Sequence, residues 1–204
     1  RGKELKEGFS DELLKSSEEE LEKGNQVLIF LNRRGYAPSL ICKTCGWLSN
    51  CDRCDALMTI HKSPPKLQCH HCESQKNEPK VCPSCQSNDF LSYGYGTERV
   101  EEFLNERFSK FPVLRIDSDS TRKKESMNEY LDLINSGKPM VLLGTQLLAK
   151  GHHFPNVTLV GILDADSGLF SADFRGSERV AQLMTQVAGR AGRDKKPGKV
   201  ILQS

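Results

Sequence analysis

Eight cysteines are the residues of this sequence whose spacing most directly indicates chemistry. All of them lie between Cys42 and Cys85, and they form four C-x2-C pairs: Cys42/Cys45, Cys51/Cys54, Cys69/Cys72 and Cys82/Cys85. A C-x2-C turn lets two thiolates face one metal ion, and two such turns complete a tetrahedral, all-sulfur zinc site. The pattern therefore predicts two structural Zn²⁺ ions with no cysteine left over.

The spacing alone leaves open how the four pairs combine. Residues 55–68, between the second and third pairs, contain Pro64-Pro65 and suit a hairpin, and closing so short a loop costs little entropy. This favours a nested arrangement over a cross-braced one, which would join the first pair with the third and the second with the fourth. Nesting gives zinc 1 to Cys42, Cys45, Cys82 and Cys85, and zinc 2 to Cys51, Cys54, Cys69 and Cys72.

Other metal chemistry fits the cysteines less well. Iron–sulfur clusters also use four cysteines, but separated C-x2-C turns are more typical of zinc. A site closed by four thiolates has no open position, so we expect no zinc catalysis. His61, His70 and His71 are spare ligand candidates, and we expect them to be surface residues because the cysteines suffice.

The cysteine-rich segment also carries one tryptophan and several basic residues. Trp47 could stack on a nucleic-acid base or pack against the zinc fold. The basic residues could contact phosphates, and the same face could equally bind protein. These basic residues are Lys43, Arg53, Lys62 and Lys66.

Bulk properties exclude some classes of protein. The chain has 204 residues, 37% of them hydrophobic, and no apolar run long enough to span a bilayer. Its first residues are polar and charged, so no signal peptide is visible. The clustered cysteines do not resemble a disulfide scaffold and indicate a reducing, cytoplasmic compartment. The net charge of +2 does not by itself argue for a nucleic-acid partner.

Outside the cysteine-rich segment, helical patterns alternate with short apolar runs. This alternation predicts an α/β domain with a parallel sheet that is covered on both faces. Ser10 and Gly24 should bound the first helix, and Thr97 should cap a second helix that buries Val100, Phe103, Leu104 and Phe108. The predicted strands are 27–32, 113–117, 140–145, 157–166 and 199–203, and further helices cover 126–137 and the segment from Gly176 to Gly192.

The positions of these elements predict the domain organisation. Residues 42–90 are poor in long apolar runs and interrupt the α/β pattern. We interpret them as an inserted module that owes its stability to metal. The α/β domain then consists of residues 1–41 and 91–204.

The string QLMTQVAGRAGR, residues 182–193, is the most informative outside the cysteines. It contains Q-x-x-G-R-x-G-R, formed by Gln186, Gly189, Arg190, Gly192 and Arg193. Two arginines three residues apart at a helix end lie on the same side, and the glycines let the backbone approach a ligand. Arginine suits phosphate because it is always charged and offers a fork of donors.

This eight-residue string resembles the sixth motif of superfamily two helicases. LLGTQLLAKGHHFPNVTLVGILDAD resembles their fifth motif and the strand after it, and VLIFLNRRGYAPSLIC resembles the start of their second, RecA-like motor lobe. Four C-x2-C pairs between NRRGYAP and GYGTERVEE are similar to the insertion of the bacterial primosomal helicases that restart replication. The resemblance extends from about Gly24 to Ser204.

The resemblance implies roles for residues of this chain. Arg193 would be the arginine finger, Arg190 a second contact to the γ-phosphate region, and Gln186 would position these arginines or the attacking water. Asp164 and Asp166 end a buried strand, where they would face the functional crevice or cap a helix. The segment that couples DNA to nucleotide would include Gly144, Thr145, Gln146, Lys150 and Gly151, and the residues near the DNA path would be Asn32, Arg33 and Arg34.

The resemblance also implies what the intact protein does. It would be an ATP-dependent 3′-5′ DNA helicase, a hydrolase that uses ATP and Mg²⁺, acts on forks and single-stranded DNA and meets primosome proteins and single-stranded DNA-binding protein, as a monomer. These 204 residues contain no G-x-x-x-x-G-K-[ST] phosphate loop, so we expect the chain alone to be inactive. The rival functions are a non-enzymatic zinc module that binds nucleic acid or protein, and a different superfamily two translocase.

Overall fold

A computed structural model describes residues 7–31, 39–54, 56–62, 64–117, 124–145, 154–165, 176–189 and 197–203. The chain divides into two compact units, which we describe separately. The sheet unit comprises Arg1–Asn32 and Phe103–Ser204, and the zinc unit comprises Arg33–Glu102. The predicted boundaries of the insertion, 42–90, stay a prediction. None of the described helices is long and apolar enough to cross a membrane.

The described part of the sheet unit is built on five parallel strands. The strands are β1 (Gln26–Leu31), β7 (Val113–Ile116), β8 (Val141–Gly144), β9 (Val157–Leu163) and β10 (Lys199–Leu202). Their order is β10-β9-β1-β8-β7, and each neighbouring pair is parallel. The two long central strands are fully buried, as expected for strands that are covered on both faces. The predicted α/β fold with a parallel sheet is therefore confirmed.

One face of this sheet is covered by helix α1 (Asp11–Glu22). The helix lies so close to β9 that a Cβ placed on Gly161 would be 2.8 Å from Leu13 Cδ1 and 3.0 Å from Ile29 Cδ1. Successive side chains of a strand point to opposite faces, so Leu28 and Phe30 belong to the other face. Glycine at position 161 therefore sets the distance between the helix and the sheet.

The opposite face carries a second layer of buried apolar residues. Strand residues Leu28, Phe30, Leu142, Val160 and Ile162 are all buried there. Two helices contribute to the same core: α3 (Lys124–Asn135) through Tyr130, Leu131 and Ile134, and α4 (Gly176–Ala188) through Met184 and Val187. These contacts place one layer of helices on each side of the sheet.

Both ends of helix α1 follow local sequence rules. Ser10 is the N-cap, and its hydroxyl accepts a hydrogen bond from the Leu13 amide at 3.2 Å. At the other end, Gly24 has a φ of +81°, its amide donates to Leu21, and the Asn25 amide donates to Glu20. This is the Schellman pattern, which glycine favours because it has no Cβ. The predicted bounds Ser10 and Gly24 are confirmed.

Helix α2 (Thr97–Arg107) begins at Thr97 itself, one residue earlier than a cap at that position would place it. Such a shift is within the usual uncertainty of helix ends. Its predicted apolar residues Val100, Leu104 and Phe108 are buried, and Phe103 packs against Phe9 with 5.3 Å between the ring centroids.

The zinc unit contains short antiparallel strands in its described part. The strands β2 (Ser39–Cys42) and β6 (Phe90–Tyr93) form one pair, and β3 (Thr59–Lys62), β4 (Pro65–Gln68) and β5 (Gln75–Lys76) form a second sheet. Lys62 and Pro65 pair across the predicted hairpin between the second and third cysteine pairs. The small core consists of Leu40, Cys51, Met58, Ile60, Leu67 and Cys69. Two of these six buried residues are cysteines, so core and metal site are inseparable.

Candidate metal centres and motor residues

The four C-x2-C pairs form turns of one kind. In each turn the amide of the first cysteine donates to the carbonyl five residues later, at 2.7 to 2.8 Å. The residue after the second cysteine is left-handed in the three turns where the structure describes it. It is Gly46 with φ 75°, Glu73 with φ 61° and Gln86 with φ 62°. This backbone directs both sulfur atoms of a turn to the same side.

The structure brings the eight sulfur atoms together in two groups. Cys42, Cys45, Cys82 and Cys85 form one, Cys51, Cys54, Cys69 and Cys72 form the other, and within each group all sulfurs lie within 4.8 Å of one another. This is the nested grouping that the sequence favours. The shortest contacts between turns are 3.6 Å in the first group and 3.5 Å in the second. Four Zn–S bonds of 2.3 Å in tetrahedral geometry imply sulfur separations of about 3.8 Å, so both groups fit zinc.

The thiols of the first group have opposed ionisation behaviour. Burial disfavours the Cys42 thiolate, but the Cys45 and Thr44 amides and hydrogen bonds from Cys85 and Cys45 outweigh it and lower its pKa to about 6. The Ser87 amide favours the Cys85 thiolate, but burial and the hydrogen bonds that the Cys85 thiol makes to its neighbours raise its pKa to about 12. Cys42 and Cys85 therefore do not ionise together unless a cation compensates their charge.

The second group behaves in the same way. The Arg53 amide, 3.4 Å from Cys51 Sγ, is the main cause that lowers the pKa of Cys51 to about 6. For Cys54 the Ala56 amide favours the thiolate, but burial and the Cys69 sulfur raise its pKa to about 12. Zinc binding must displace the remaining protons, so zinc affinity in both groups rises with pH.

Trp47 and the basic residues occupy different surroundings. Trp47 is half-buried against the zinc-unit core and meets Phe90 edge-on at 6.3 Å between ring centroids, which favours packing over stacking on a base. Lys43 is exposed and ion-paired with Asp89 at 2.8 Å. Arg53 is exposed, Lys66 is half-buried and Lys62 reaches Glu102.

The expectation that all three histidines lie on the surface is wrong for His61. Only 4% of His61 is exposed. Its Nδ1 lies 2.9 Å from Glu98 Oε1, and its Nε2 lies 3.1 Å from His70 Nε2. His71 is exposed as predicted. Strand β3 is buried at Thr59, Ile60 and His61 and exposed only at Lys62, and the contacts of His61 with Glu98 and His70 account for a buried polar ring at this position.

Polar residues lie directly after the carboxyl ends of several parallel strands. Gly144 ends β8, and the buried Thr145 follows it. Asp164 follows β9 and has a φ of 50°, which is rare for a residue other than glycine. The ends of β1, β7 and β8 are aligned, because Gly144 pairs with both Phe30 and Ile116. The carboxyl ends of parallel strands form the usual ligand crevice of such sheets.

Asp117 is a residue at this edge that the sequence argument missed. It follows β7, is fully buried, and has Oδ2 3.5 Å from Arg115 Nη1. The signal was present in the string VLRID, in which a carboxylate directly follows an apolar run. Thr145 is adjacent, because its amide donates to the Ile116 carbonyl at 3.4 Å.

The remaining predicted motor residues are described only in part. Gln186 is exposed near the end of α4, beside the buried Val187, and the Gly189 amide donates to Thr185 at 3.0 Å. The other predicted residues lie outside the described ranges. They are Asn32, Arg33, Arg34, Gln146, Lys150, Gly151, Asp166, Arg190 and Arg193.

Comparison with known proteins identifies the family. The model of the helicase conserved C-terminal domain matches residues 65–195, which is more than half of the chain. The chain belongs to this family. The model of the PriA DNA helicase Cys-rich region matches residues 51–76, which include the second cysteine group. The helicase C-terminal lobe and the zinc-binding character of its cysteines, both predicted from the sequence, are therefore confirmed.

Curated relatives match along the whole chain. "Replication restart protein PriA" of Haemophilus influenzae is 51% identical over 204 residues, which are 100% of this chain and 28% of the relative. The proteins of that name from Chlamydia pneumoniae and Bacillus subtilis are 48% and 46% identical over 96% of this chain, and the chain covers 26% and 24% of them. The chain thus spans about a quarter of the length of these relatives.

Solved structures include one weak match. The C-terminal part of the Fun30 ATPase domain aligns with 52% of this chain and 30% of its own, with a TM-score of 0.36 and 16% identity. This likeness is too low to bear on the fold.

Proposed function

We propose that this chain is the second motor lobe and zinc module of an ATP-dependent 3′-5′ DNA helicase that acts in replication restart and primosome assembly. The observation that carries the proposal is the combination of a helicase C-terminal domain with two nested four-cysteine groups. Relatives that match the full length of the chain are named replication restart proteins. A zinc module alone would explain the cysteines, but not the helicase domain.

The motor role rests on the carboxyl edge of the sheet and the end of α4. ATP would bind between this lobe and a second one that supplies the phosphate loop. On closure, Arg193 and Arg190 would offset charge that develops on the γ-phosphate, and Gln186 would orient them or the attacking water. Thr145 and Asp164, which follow the strands on either side of β1, would relay that closure to a DNA contact. The chain alone should therefore not hydrolyse ATP.

The zinc unit would act on partners rather than on ATP. Four thiolates leave each zinc without an open position, which supports a structural role. We propose that the unit contacts forked or single-stranded DNA and receives primosome proteins or single-stranded DNA-binding protein. Arg33 and Arg34 would lie near the DNA path. A protein with these partners would work in the bacterial cytoplasm as a monomer.

The decisive experiment measures DNA-stimulated ATP hydrolysis by the intact protein carrying Arg193→Ala. An arginine finger contributes about 10³- to 10⁵-fold to the rate, so hydrolysis should fall by at least roughly a thousandfold. Circular dichroism and DNA binding should be unchanged. The matched control is Arg107→Ala, because Arg107 lies on α2 and bonds to Glu18 on the surface of the sheet unit.

The two outcomes separate the candidate functions. A selective collapse of hydrolysis in the Arg193 variant supports the motor lobe. Equal hydrolysis in the Arg193 variant, the control and the unmodified protein contradicts the arginine-finger role. The non-enzymatic zinc module would then become the better account of the chain.

A further inference from the structure

A buried histidine connects the second zinc group with helix α2. The side chain of His61 is 5% exposed, and that of Glu98, in the first turn of α2, is 13% exposed. His61 Nδ1 lies 2.9 Å from Glu98 Oε1, and His61 Nε2 lies 3.1 Å from His70 Nε2. An ionised carboxylate only accepts hydrogen bonds, so in the contact with Glu98 the donor is His61 Nδ1.

Glu98 also binds the backbone of the strand that carries His61. Its second oxygen, Oε2, accepts from the Lys62 amide at 3.0 Å. The Lys62 ammonium in turn reaches Glu102 Oε2, one turn further along α2, at 3.2 Å. One helix therefore holds β3 by two carboxylates, of which Glu98 is the more buried. Hydrogen bonds to an ionised, partly buried carboxylate are about twice as strong as neutral ones.

His70 belongs to the turn between Cys69 and Cys72, which supplies half of the second zinc group. A zinc ion bound by both cysteines would hold this turn in place, and the turn would hold the His70 ring against His61. The polar contacts described for the first group, Thr44 with Ser87 and Lys43 with Asp89, join parts of the zinc unit outside α2.

We propose that Glu98 is a positioning residue that couples zinc at the second group to the first turns of helix α2. Zinc orders the turn that carries His70, His70 orients His61, and His61 together with the Lys62 amide holds Glu98. Coupling of this kind is reciprocal, so Glu98 must stabilise the second zinc as much as that zinc stabilises the start of α2. The proposal does not depend on the motor function.

The test uses the intact, zinc-loaded protein with Glu98→Gln and measures zinc release to a chromogenic chelator. Partners outside the first coordination sphere typically change metal affinity by about 10- to 100-fold. We expect one of the two zinc ions to leave roughly tenfold faster and the other to leave at the unmodified rate. Glu106→Gln, at an exposed position of the same helix, removes the same charge and should change neither rate.

A second variant guards against a general loss of folding. His70→Ala removes the contact between His70 and His61 but leaves the Glu98 carboxylate in place. It should give the same selective release of one zinc ion. Amide hydrogen exchange of the peptide that covers Thr97–Glu102 should be faster in both variants. Combining Glu98→Gln with Cys72→Ala should increase hydrogen exchange little beyond the effect of Cys72→Ala alone. Both substitutions interrupt the same series of contacts.

The outcomes that overturn the proposal are specific. It is wrong if Glu98→Gln releases both zinc ions at unchanged or equally increased rates. It is also wrong if Cys85→Ala, in the first group, speeds exchange of the Thr97–Glu102 peptide as much as Cys72→Ala does. Selective release together with selective exchange supports it.

Discussion

Paired cysteine substitutions can test the nested grouping of the sulfur atoms, because the quantity measured is the number of zinc ions that each chain retains. Replacing Cys42 and Cys85 by alanine removes two ligands that the structure places 3.6 Å apart in one group. The second group keeps all four sulfurs. Replacing Cys42 and Cys69 instead removes one ligand from each group. Both variants lose two thiols, so a general effect of losing cysteine cancels in the comparison.

The two arrangements of the pairs predict opposite results. In the nested structure the Cys42/Cys85 variant retains one zinc with four thiolates, and the Cys42/Cys69 variant retains none. Cross-bracing would place Cys42 with Cys69, so the retained zinc would appear in the other variant. Structural zinc contributes apparent free energies on the order of 10 to 16 kcal/mol, so an intact site should survive a chelator that empties a three-sulfur site.

The assay is elemental analysis of zinc after equilibration with a competing chelator. The unmodified protein should retain two zinc ions per chain. One zinc in the Cys42/Cys85 variant and fewer in the Cys42/Cys69 variant is the expected pattern. The reverse pattern would refute the grouping, and with it the inference that the short hairpin between the middle pairs selects their partners.

Further predictions concern packing, backbone strain and pH. Gly161→Ala should cost about 1–3 kcal/mol of unfolding free energy by overpacking Leu13, and the cost should be smaller when Leu13→Val is present as well. Denaturant titration of the two single variants and the double variant tests this. Glu73→Gly should stabilise the zinc unit by roughly 0.5 kcal/mol because its φ is 61°, whereas Gly46→Ala, at φ 75°, should destabilise it; melting curves that move together would contradict this. Burial alone would raise the pKa of Glu20, but hydrogen bonds from Lys23, Thr158 and Asn25 lower it. Its stabilisation is therefore complete above the ordinary glutamate pKa and is lost as pH falls through the lowered value, so Glu20→Gln should flatten the acid limb of the stability profile.

The sequence predicts the sheet unit well, because its signals are long and redundant. The run from Val157 to Leu163 is buried at every position, as a central strand of a parallel sheet requires. Ser10 and Gly24 carry the residue types that helix ends need. Each of these predictions depends on local chemistry that tertiary contacts reinforce.

The zinc unit shows where such prediction fails. Strands β2 and β6 have four residues each, and β6 alternates only between half-buried and exposed positions, so no apolar run marks it. The burial of His61 depends on Glu98, which lies 37 positions away along the chain. Neither feature has a local signal. The cysteine spacing predicts which atoms bind metal, but not the hydrogen bonds that orient the turns around it.

The sheet unit and the zinc unit are stabilised in different ways, and this determines which substitutions each unit tolerates. The sheet unit buries Leu28, Phe30, Leu142 and Ile162 on one face alone, so its stability comes from apolar area. In the described part of the zinc unit, one cluster of six buried residues includes Cys51 and Cys69. Removing zinc from the second group therefore does more than open a coordination site. It leaves the Cys51 and Cys69 sulfurs in this core without a cation, and it frees the turn that carries His70. The order at the start of α2 thus depends on a metal that α2 does not touch.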